Sequence, residues 1–339
     1  MIEVLEKGGC VVDAIEVNSP AELQSVLDGV PEGTLVWANA YWVNDGSGGE
    51  VGLVEQIERM DLPMVGSSLE TLNLLLEKDS CQRRLSGAGI PVPGFTVFQN
   101  GNLGDVRAKL AETGLPFPLV VKPTKESRSQ GVTKVENLDE AMWAIHAIAE
   151  AYPHGNVIVE EFLPTHDITC GYIQLDDEII ILPSFNYVLG MDCSMEVFGE
   201  KHYKLPAENE RQVIIEDRAI LQQLEETLPK IVDLLGVVGV TRIDGRLDAD
   251  GILKVFDING MPGLNHPISA LIKQCFSHFP TYEKDYVFEC LINTIMIENF
   301  RRHGMIVPRA MQRHHLFNLE SKTAIKLRAN APIQPMPVR

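Results

Sequence analysis

Thr241-Arg-Ile-Asp-Gly-Arg-Leu-Asp-Ala-Asp-Gly-Ile-Leu-Lys-Val-Phe-Asp-Ile-Asn-Gly-Met-Pro-Gly-Leu-Asn265 contains two β-rich runs around Asp248-Ala-Asp-Gly251, the pattern of an antiparallel hairpin and its turn. Side chains alternate along a strand, so Arg242 and Asp244 share one face while Ile243 takes the other. On the second strand Asp257 and Asn259 share a face, opposite Phe256 and Ile258. Two carboxylates, an amide oxygen and a guanidinium therefore meet on one polar surface. Such a set suits Mg²⁺, a hard ion that takes oxygen ligands and completes its octahedron with phosphate oxygens. Arg242 would face the same phosphates. A solvated surface hairpin is the other reading of these residues, since short acidic patterns recur by chance.

Working outward, 339 residues can bury a large core and predict two or three domains. A composition of 45% hydrophobic and 22% charged residues is that of a soluble globular protein. The net charge of −18 opposes a nucleic-acid surface, which needs a basic footprint, but permits a pocket with a few local cations. No basic segment followed by an apolar run stands at the N-terminus, and no stretch is long enough to cross a bilayer. The six cysteines show no Cys-x-x-Cys spacing and read as reduced thiols of a cytoplasmic protein.

In chain order, Ser19-Pro20 predicts a helix start, and Thr34–Ala38 is an apolar run of strand length. The glycine-rich Asp45–Gly52 reads as a flexible connector; it lacks the Gly-Lys-Ser/Thr of a phosphate loop. Ser67-Ser-Leu-Glu70 has the form of a capping box opening a helix toward Lys78. Pro118–Pro123 is a short buried strand carrying Lys122, and the polar Thr124–Gly131 then leads to a returning strand at Val132–Val135. A lysine near a strand end beside a hydroxyl-rich loop fits a lid over a triphosphate, or else an ordinary hairpin. Asn137 caps a further helix, Asn156–Leu163 is a strand ending in acids, and Asp217–Leu235 is an amphipathic helix stopped by Gly236. A last helix is expected near Glu283–Phe300. The tail from Arg301 carries eight Lys and Arg against the single Glu320, and its late prolines oppose a closing helix.

The order Gly87-Ala-Gly-Ile-Pro-Val-Pro-Gly94, Leu119-Val-Val-Lys-Pro123, Val157–Leu163, Thr241-Arg-Ile-Asp244 and Val255-Phe-Asp-Ile-Asn-Gly-Met-Pro-Gly263 resembles the ATP-grasp superfamily, and within it the D-alanine–D-alanine ligases. The resemblance implies an α/β (α+β) protein of three domains, with ATP between two antiparallel sheets. Its expected divisions are 1–72 for an N-terminal substrate domain, 73–156 for a lid subdomain, 157–300 for a catalytic subdomain and 301–339 for a basic tail. It implies that Lys78 and Lys122 contact phosphates, that Glu160, Phe162 and Leu163 surround the adenine with Phe256, and that Asp167 reaches the ribose. Asp244, Asp257 and Asn259 would hold two Mg²⁺, with Mn²⁺ as a substitute. Arg242, Lys122 and Ser129 would act in catalysis, Lys201 in nucleotide binding, and Arg128, Gly263 and Ile268 beside the substrate. A homodimer is the expected assembly, without nucleic-acid or membrane partners.

The chain also departs from those ligases. Their early Gly-Gly-x-Ser-x-Glu segment is missing, and Arg128 stands where their lid carries a serine. Their Lys-Tyr loop pair falls at Met195-Glu196, their metal glutamate is Asp257, and their serine near the acceptor carboxylate falls at Ile268. The ATP apparatus is retained while the amino-acid apparatus is changed. The expectation is an ADP-forming ligase that phosphorylates a carboxyl or carboxyl-like group and joins it to an amino acid, in specialised-metabolite synthesis. Addition of serine or threonine to mycosporine-glycine is one such reaction. A true D-alanine–D-alanine ligase and a non-catalytic ATP-binding regulator are the alternatives.

Overall fold

A computed structural model of the chain describes residues 1–44, 46, 49–126, 129–189, 210–320 and 326–328. In the N-terminal part, Ser19 caps the helix Pro20–Asp28 by accepting the Glu22 N–H at 3.2 Å. Two short strands follow, β1 (Trp42–Asn44) and β2 (Glu50–Gly52), paired antiparallel. Glu50–Gly52, the end of the glycine-rich run, is thus a strand and not part of a free connector. Leu23, Leu27, Val43, Val54 and Ile57 form the core of this part. The strand expected at Thr34–Ala38 reduces to one parallel bridge, Val36↔Met64. Val36 donates to the Pro63 carbonyl and accepts from Val65, and Pro63 has no N–H with which to extend the ladder.

The capping box is shifted by one residue. Ser68, not Ser67, caps the helix Leu69–Leu76 by accepting the Thr71 N–H. Ser67 instead accepts the Val238 N–H at 2.9 Å, a contact between segments far apart in sequence. The helix Lys78–Gly87 follows directly.

Four strands then form a sheet in the order β3-β6-β4-β5: β3 (Phe95–Phe98), β4 (Leu119–Pro123), β5 (Thr133–Val135) and β6 (Val157–Glu161). All its pairings are antiparallel, and β4 is buried along its whole length. Helix Leu138–Ala151, capped by Asn137, covers one face through Ala141, Ala144, Ile145 and Ile148.

The second sheet holds seven strands among the described residues. They are β7 (Asp167–Leu175), β8 (Glu178–Ile181), β9 (Phe185–Leu189), β10 (Glu210–Ile214), β11 (Val240–Leu247), β12 (Leu253–Asn259) and β13 (Lys326–Arg328). Its main path runs β10-β9-β7-β11-β12, every pairing antiparallel. Helix Arg218–Leu235 packs through Leu224, Leu228, Ile231 and Leu235 and ends at Gly236 with φ +65. On the other side, helix Lys284–Arg302 is buried over most of its length in a core that also takes Met311, Leu316 and Phe317. The early part of the basic tail is therefore packed, and its Lys326–Arg328 segment pairs with β8. No described helix is long and apolar enough to cross a membrane.

Candidate active site

A cleft of about 2180 Å³ runs between the two sheets and reaches the N-terminal part. Lys78, Lys122, Ser129, Glu160, Phe162, Leu163, Asp167, Arg242, Asp244, Phe256, Asp257, Asn259, Gly263 and Ile268 all border it. Arg128 and Lys201 lie outside the described residues.

The polar face is built by strand register. Arg242 stands opposite Asn259 and Asp244 opposite Asp257 on β11 and β12. Arg242 grips Asp244 with Nη2 at 2.9 Å and Nε at 3.2 Å, Asn259 Nδ2 donates to the same carboxylate at 3.2 Å, and Thr169 Oγ1 donates at 2.5 Å. Thr169 reaches it because Asp244 and Thr169 are register partners on β11 and β7. Burial raises the Asp244 carboxyl above the ordinary carboxylate range; Arg242 opposes this, while the Asp257 charge adds to it. Just beyond, the ladder shifts at Asp244/Gly245. A Cβ at Gly245 would stand 2.7 Å from the Lys254 carbonyl oxygen, so the bulge admits only glycine there without movement of the neighbouring strand.

This donor set fits a divalent hard cation. It is all oxygen, and a cation beside Asp244 and Asp257 would relieve the burden on the buried acid. Asn259 turns its nitrogen to Asp244, which leaves Oδ1 out of that bond. Among the described residues no three His, Cys, Asp or Glu side chains gather into a ready-made metal cage. The fit is to an ion that shares its shell with phosphate.

At the other wall, Lys122 pairs with Glu160 at 2.8 Å, both nearly inaccessible, and lies 5.3 Å above the Phe256 ring. Gln82 also donates to Glu160. Lys78 extends from the start of its helix to the Glu126 backbone oxygen, and its ammonium stands 4.0 Å from Asp257. Burial pulls the Lys78 pKa down, and Asp257 opposes that shift. The segment between β4 and β5 leaves at Pro123, passes Ser129 at φ +57 and reaches Gly131 with φ +69. A side chain at Gly131 would meet Pro123 and Tyr152 within 3 Å. Glu161, the second acid of the strand, also borders the cleft and is held by Lys254 at 2.6 Å and by the Gly94 N–H at 2.9 Å.

Several residues of the site escaped sequence reasoning. Arg246 pairs with Asp167, donates to the Leu163 carbonyl at 3.1 Å and lies 5.4 Å from the Phe162 ring centre. It continues the alternation Arg242, Asp244, Arg246, a signal present in the sequence. Thr169 and Gln82 carried none, because Thr169 meets Asp244 only through the pairing of distant strands and Gln82 meets Glu160 only where its helix packs against the first sheet. Tyr41 and Trp42 border the cleft from the N-terminal part. Ile268 is 66% exposed, while the Oγ of Ser269, also at the cleft, is buried without a partner among the described residues.

Two antiparallel sheets facing one cleft, with basic residues on one wall and an Arg–Asp–Asp–Asn face on the other, define the ATP-grasp fold. A D-alanine–D-alanine ligase from Bacillus anthracis complexed with ATP superposes with a TM-score of 0.58 at 20% identity, covering 74% of this chain and 75% of that one. Residues 85–284 match the family described as D-ala D-ala ligase C-terminus, more than half of the chain, and the chain belongs to that family. A D-alanine–D-alanine ligase of Bifidobacterium longum (strain DJO10A) is 31% identical over 242 residues, 66% of this chain and 60% of the relative. The vancomycin B-type resistance protein VanB of Enterococcus faecalis is 25% identical over 227 residues, 66% and 64% respectively. The chain thus spans just under two thirds of the length of these two relatives.

Proposed function

We propose that the protein is an ATP- and Mg²⁺-dependent ligase that phosphorylates a carboxyl or carboxyl-like group and joins it to the amine of an amino acid, releasing ADP and phosphate. The observation that carries this reading is the meeting of Lys78 and Lys122 with the Arg242, Asp244, Asp257 and Asn259 face in one cleft, where Lys78 comes to 4.0 Å from Asp257. A carboxylate cannot be displaced by an amine directly, because oxide would have to leave. Attack of the carboxylate oxygen on the γ-phosphorus, with ADP leaving, converts that oxygen into part of a phosphate leaving group. The amine then attacks the acyl carbon and phosphate departs. Mg²⁺ held by Asp244, Asp257 and Asn259 would supply charge neutralisation at the phosphate oxygens.

The protein's own groups serve each stage. Lys78 and Lys122 hold phosphate oxygens, and the planar fork of Arg242 meets charge that grows during transfer. Thr169 and Asn259 fix the Asp244 carboxylate so that no reorganisation is needed as charge moves. The lid keeps water from the activated acyl group. We assign the substrates to specialised metabolism, with serine or threonine addition to mycosporine-glycine as the model reaction. The missing early glutamate and the exposed Ile268 support this over two small zwitterions.

A second reading, D-alanine–D-alanine ligation, is favoured by the names of the curated relatives and by Ser269, a hydroxyl one position from Ile268. Amino-acid-dependent ADP release, with product masses measured, tests both. Efficient D-alanyl-D-alanine formation would establish the second. ATP binding without ADP release for any substrate pair would overturn both in favour of a non-catalytic nucleotide-binding protein.

A further inference from the structure

We propose that Gln274, fully buried behind the wall of the cleft, is a positioning residue for phosphoryl transfer, its amide oxygen being the acceptor that holds Arg242 once a metal ion takes Asp244. The inference rests on the ligase reading above and adds to it a residue that does not itself border the cleft.

Strand β7 changes partner along its length. It pairs with β9 from Asp167 to Thr169 and with β8 from Tyr172 to Leu175, so one ladder gives way to the other beside Gly171. The side chain of Gln274 enters at this change, from the helix Ala270–His278, whose Ala270 and Lys273 border the cleft. Its Nε2 donates to the Thr169 carbonyl at 2.9 Å, a buried bond that fixes which end of the amide is the donor. The hydroxyl of the same Thr169 donates to Asp244 at 2.5 Å. Gln274 is therefore anchored one residue away from the metal-facing carboxylate, with its oxygen turned from the anchor.

That oxygen is unpaired. Gln274 Oε1 is buried and has no hydrogen-bond partner among the described residues. It lies over Gly171: a Cβ on that glycine would stand 2.8 Å from Oε1, so a methyl there would displace it. Gly171 is the register partner of Arg242, as Thr169 is of Asp244. Register partners share a face with their Cβ positions about 4.5–5.5 Å apart, which puts Oε1 within about 8 Å of the Arg242 Cβ, a gap that an arginine side chain spans.

Arg242 clasps Asp244 through Nε and Nη2. A cation on Asp244 competes for the oxygens that Arg242 holds, and guanidinium N–H groups that let go need acceptors elsewhere. Phosphate oxygens supply them on the cleft side. Gln274 Oε1, already stripped of water, supplies one on the protein side and fixes the plane of the fork as charge moves through the phosphoryl group. An unpaired buried oxygen destabilises the empty fold; filled in the loaded site, it turns the same desolvation into pre-organisation.

The test uses the full chain and calorimetry. Affinity for ADP with Mg²⁺ and aluminium fluoride, which imitates the phosphoryl group in transit, is compared with affinity for ADP and Mg²⁺ alone. Gln274→Met keeps the length of the side chain and removes the amide; it should weaken binding of the mimic about tenfold or more and change ADP affinity less than about threefold. Gln274→Glu keeps an acceptor toward Arg242 and should hold mimic affinity within about threefold of the parent. In an Arg242→Met background the loss caused by Gln274→Met should vanish, since the acceptor then has no guanidinium to hold. A loss that persists without Arg242, equal losses for mimic and ADP, or a tenfold loss in Gln274→Glu overturns the assignment and leaves the ligase reading standing. Unaltered mimic affinity in Gln274→Met overturns it as well. An Arg242-dependent loss of mimic affinity in a protein that releases ADP with no amino acid would sustain the role of Gln274 and overturn the ligase.

Discussion

Asp244 and Asp257 stand as register partners across one hairpin, and the first is buried while clasped by Arg242, Asn259 and Thr169. The pairing concentrates negative charge where the cleft needs a cation. Asp244→Asn and Asp257→Asn are each expected to lower kcat by at least about 100-fold and to weaken the dependence of nucleotide binding on Mg²⁺. The isosteric change should leave the thermal midpoint within a few degrees. Metal titrations of nucleotide binding and steady-state ADP release measure the two effects; ordinary turnover in either variant would remove the hairpin from the chemistry.

Arg242 holds Asp244 through two nitrogens, a geometry lysine cannot copy. Arg242→Lys should lower kcat by about 100-fold or more while the KM for ATP changes only a few-fold, the pattern of an interaction made in the transition state. A change in KM alone would assign the guanidinium to ground-state binding.

Lys122 and Glu160 form an ion pair at 2.8 Å with almost no access to water. Glu160→Gln removes one charge and strands the other, and about 3 kcal/mol of stability should be lost in denaturant titrations. The double variant Lys122→Met/Glu160→Leu should recover much of that loss while failing to turn over. Additive losses in the double variant would show that the two charges do not act as a pair.

Gly245→Ala drives a methyl group against the Lys254 backbone oxygen at the bulge. Equilibrium unfolding should show a loss of about 1–3 kcal/mol, because the contact partner is backbone and not a side chain that can rotate away. Stability within 0.5 kcal/mol of the parent would mean that β12 shifts freely at this point.

His278 is 2% exposed, and burial pushes its pKa from the ordinary 6.5 down to about 4. Below pH 6.5 the unfolded chain takes a proton that the folded one refuses, so this group lowers stability as pH falls and the loss is complete below pH 4. Between pH 7 and pH 5 the loss amounts to about 2 kcal/mol. His278→Gln, neutral throughout, should be less sensitive over that interval by the same amount. Parallel stability–pH curves for the two proteins would show that His278 is protonated as readily in the fold as in the unfolded chain.

Local chemistry was legible from residue order. Alternation placed Arg242 with Asp244 and Asp257 with Asn259, and Asn137, Asp217 and Ser19 announced helix starts because an N-cap bond is made within four residues. The cap at Ser68 was misread by one residue because the hydroxyl of Ser67 is claimed by Val238, 171 positions away. The run Thr34–Ala38 had the composition of a strand but met only Pro63–Val65, and a strand exists only where a partner offers a ladder. The same limit explains the site. Thr169 reaches Asp244 through the β7–β11 pairing, Arg246 meets Asp167 across it, and Tyr41 and Met261, from distant parts of the chain, pack against one core. The sequence by itself determined the residue types and their faces, because propensity, capping and strand alternation are short-range. Only the tertiary structure decided which faces share a cleft and which charges lose water there, because burial and pairing depend on what distant segments bring.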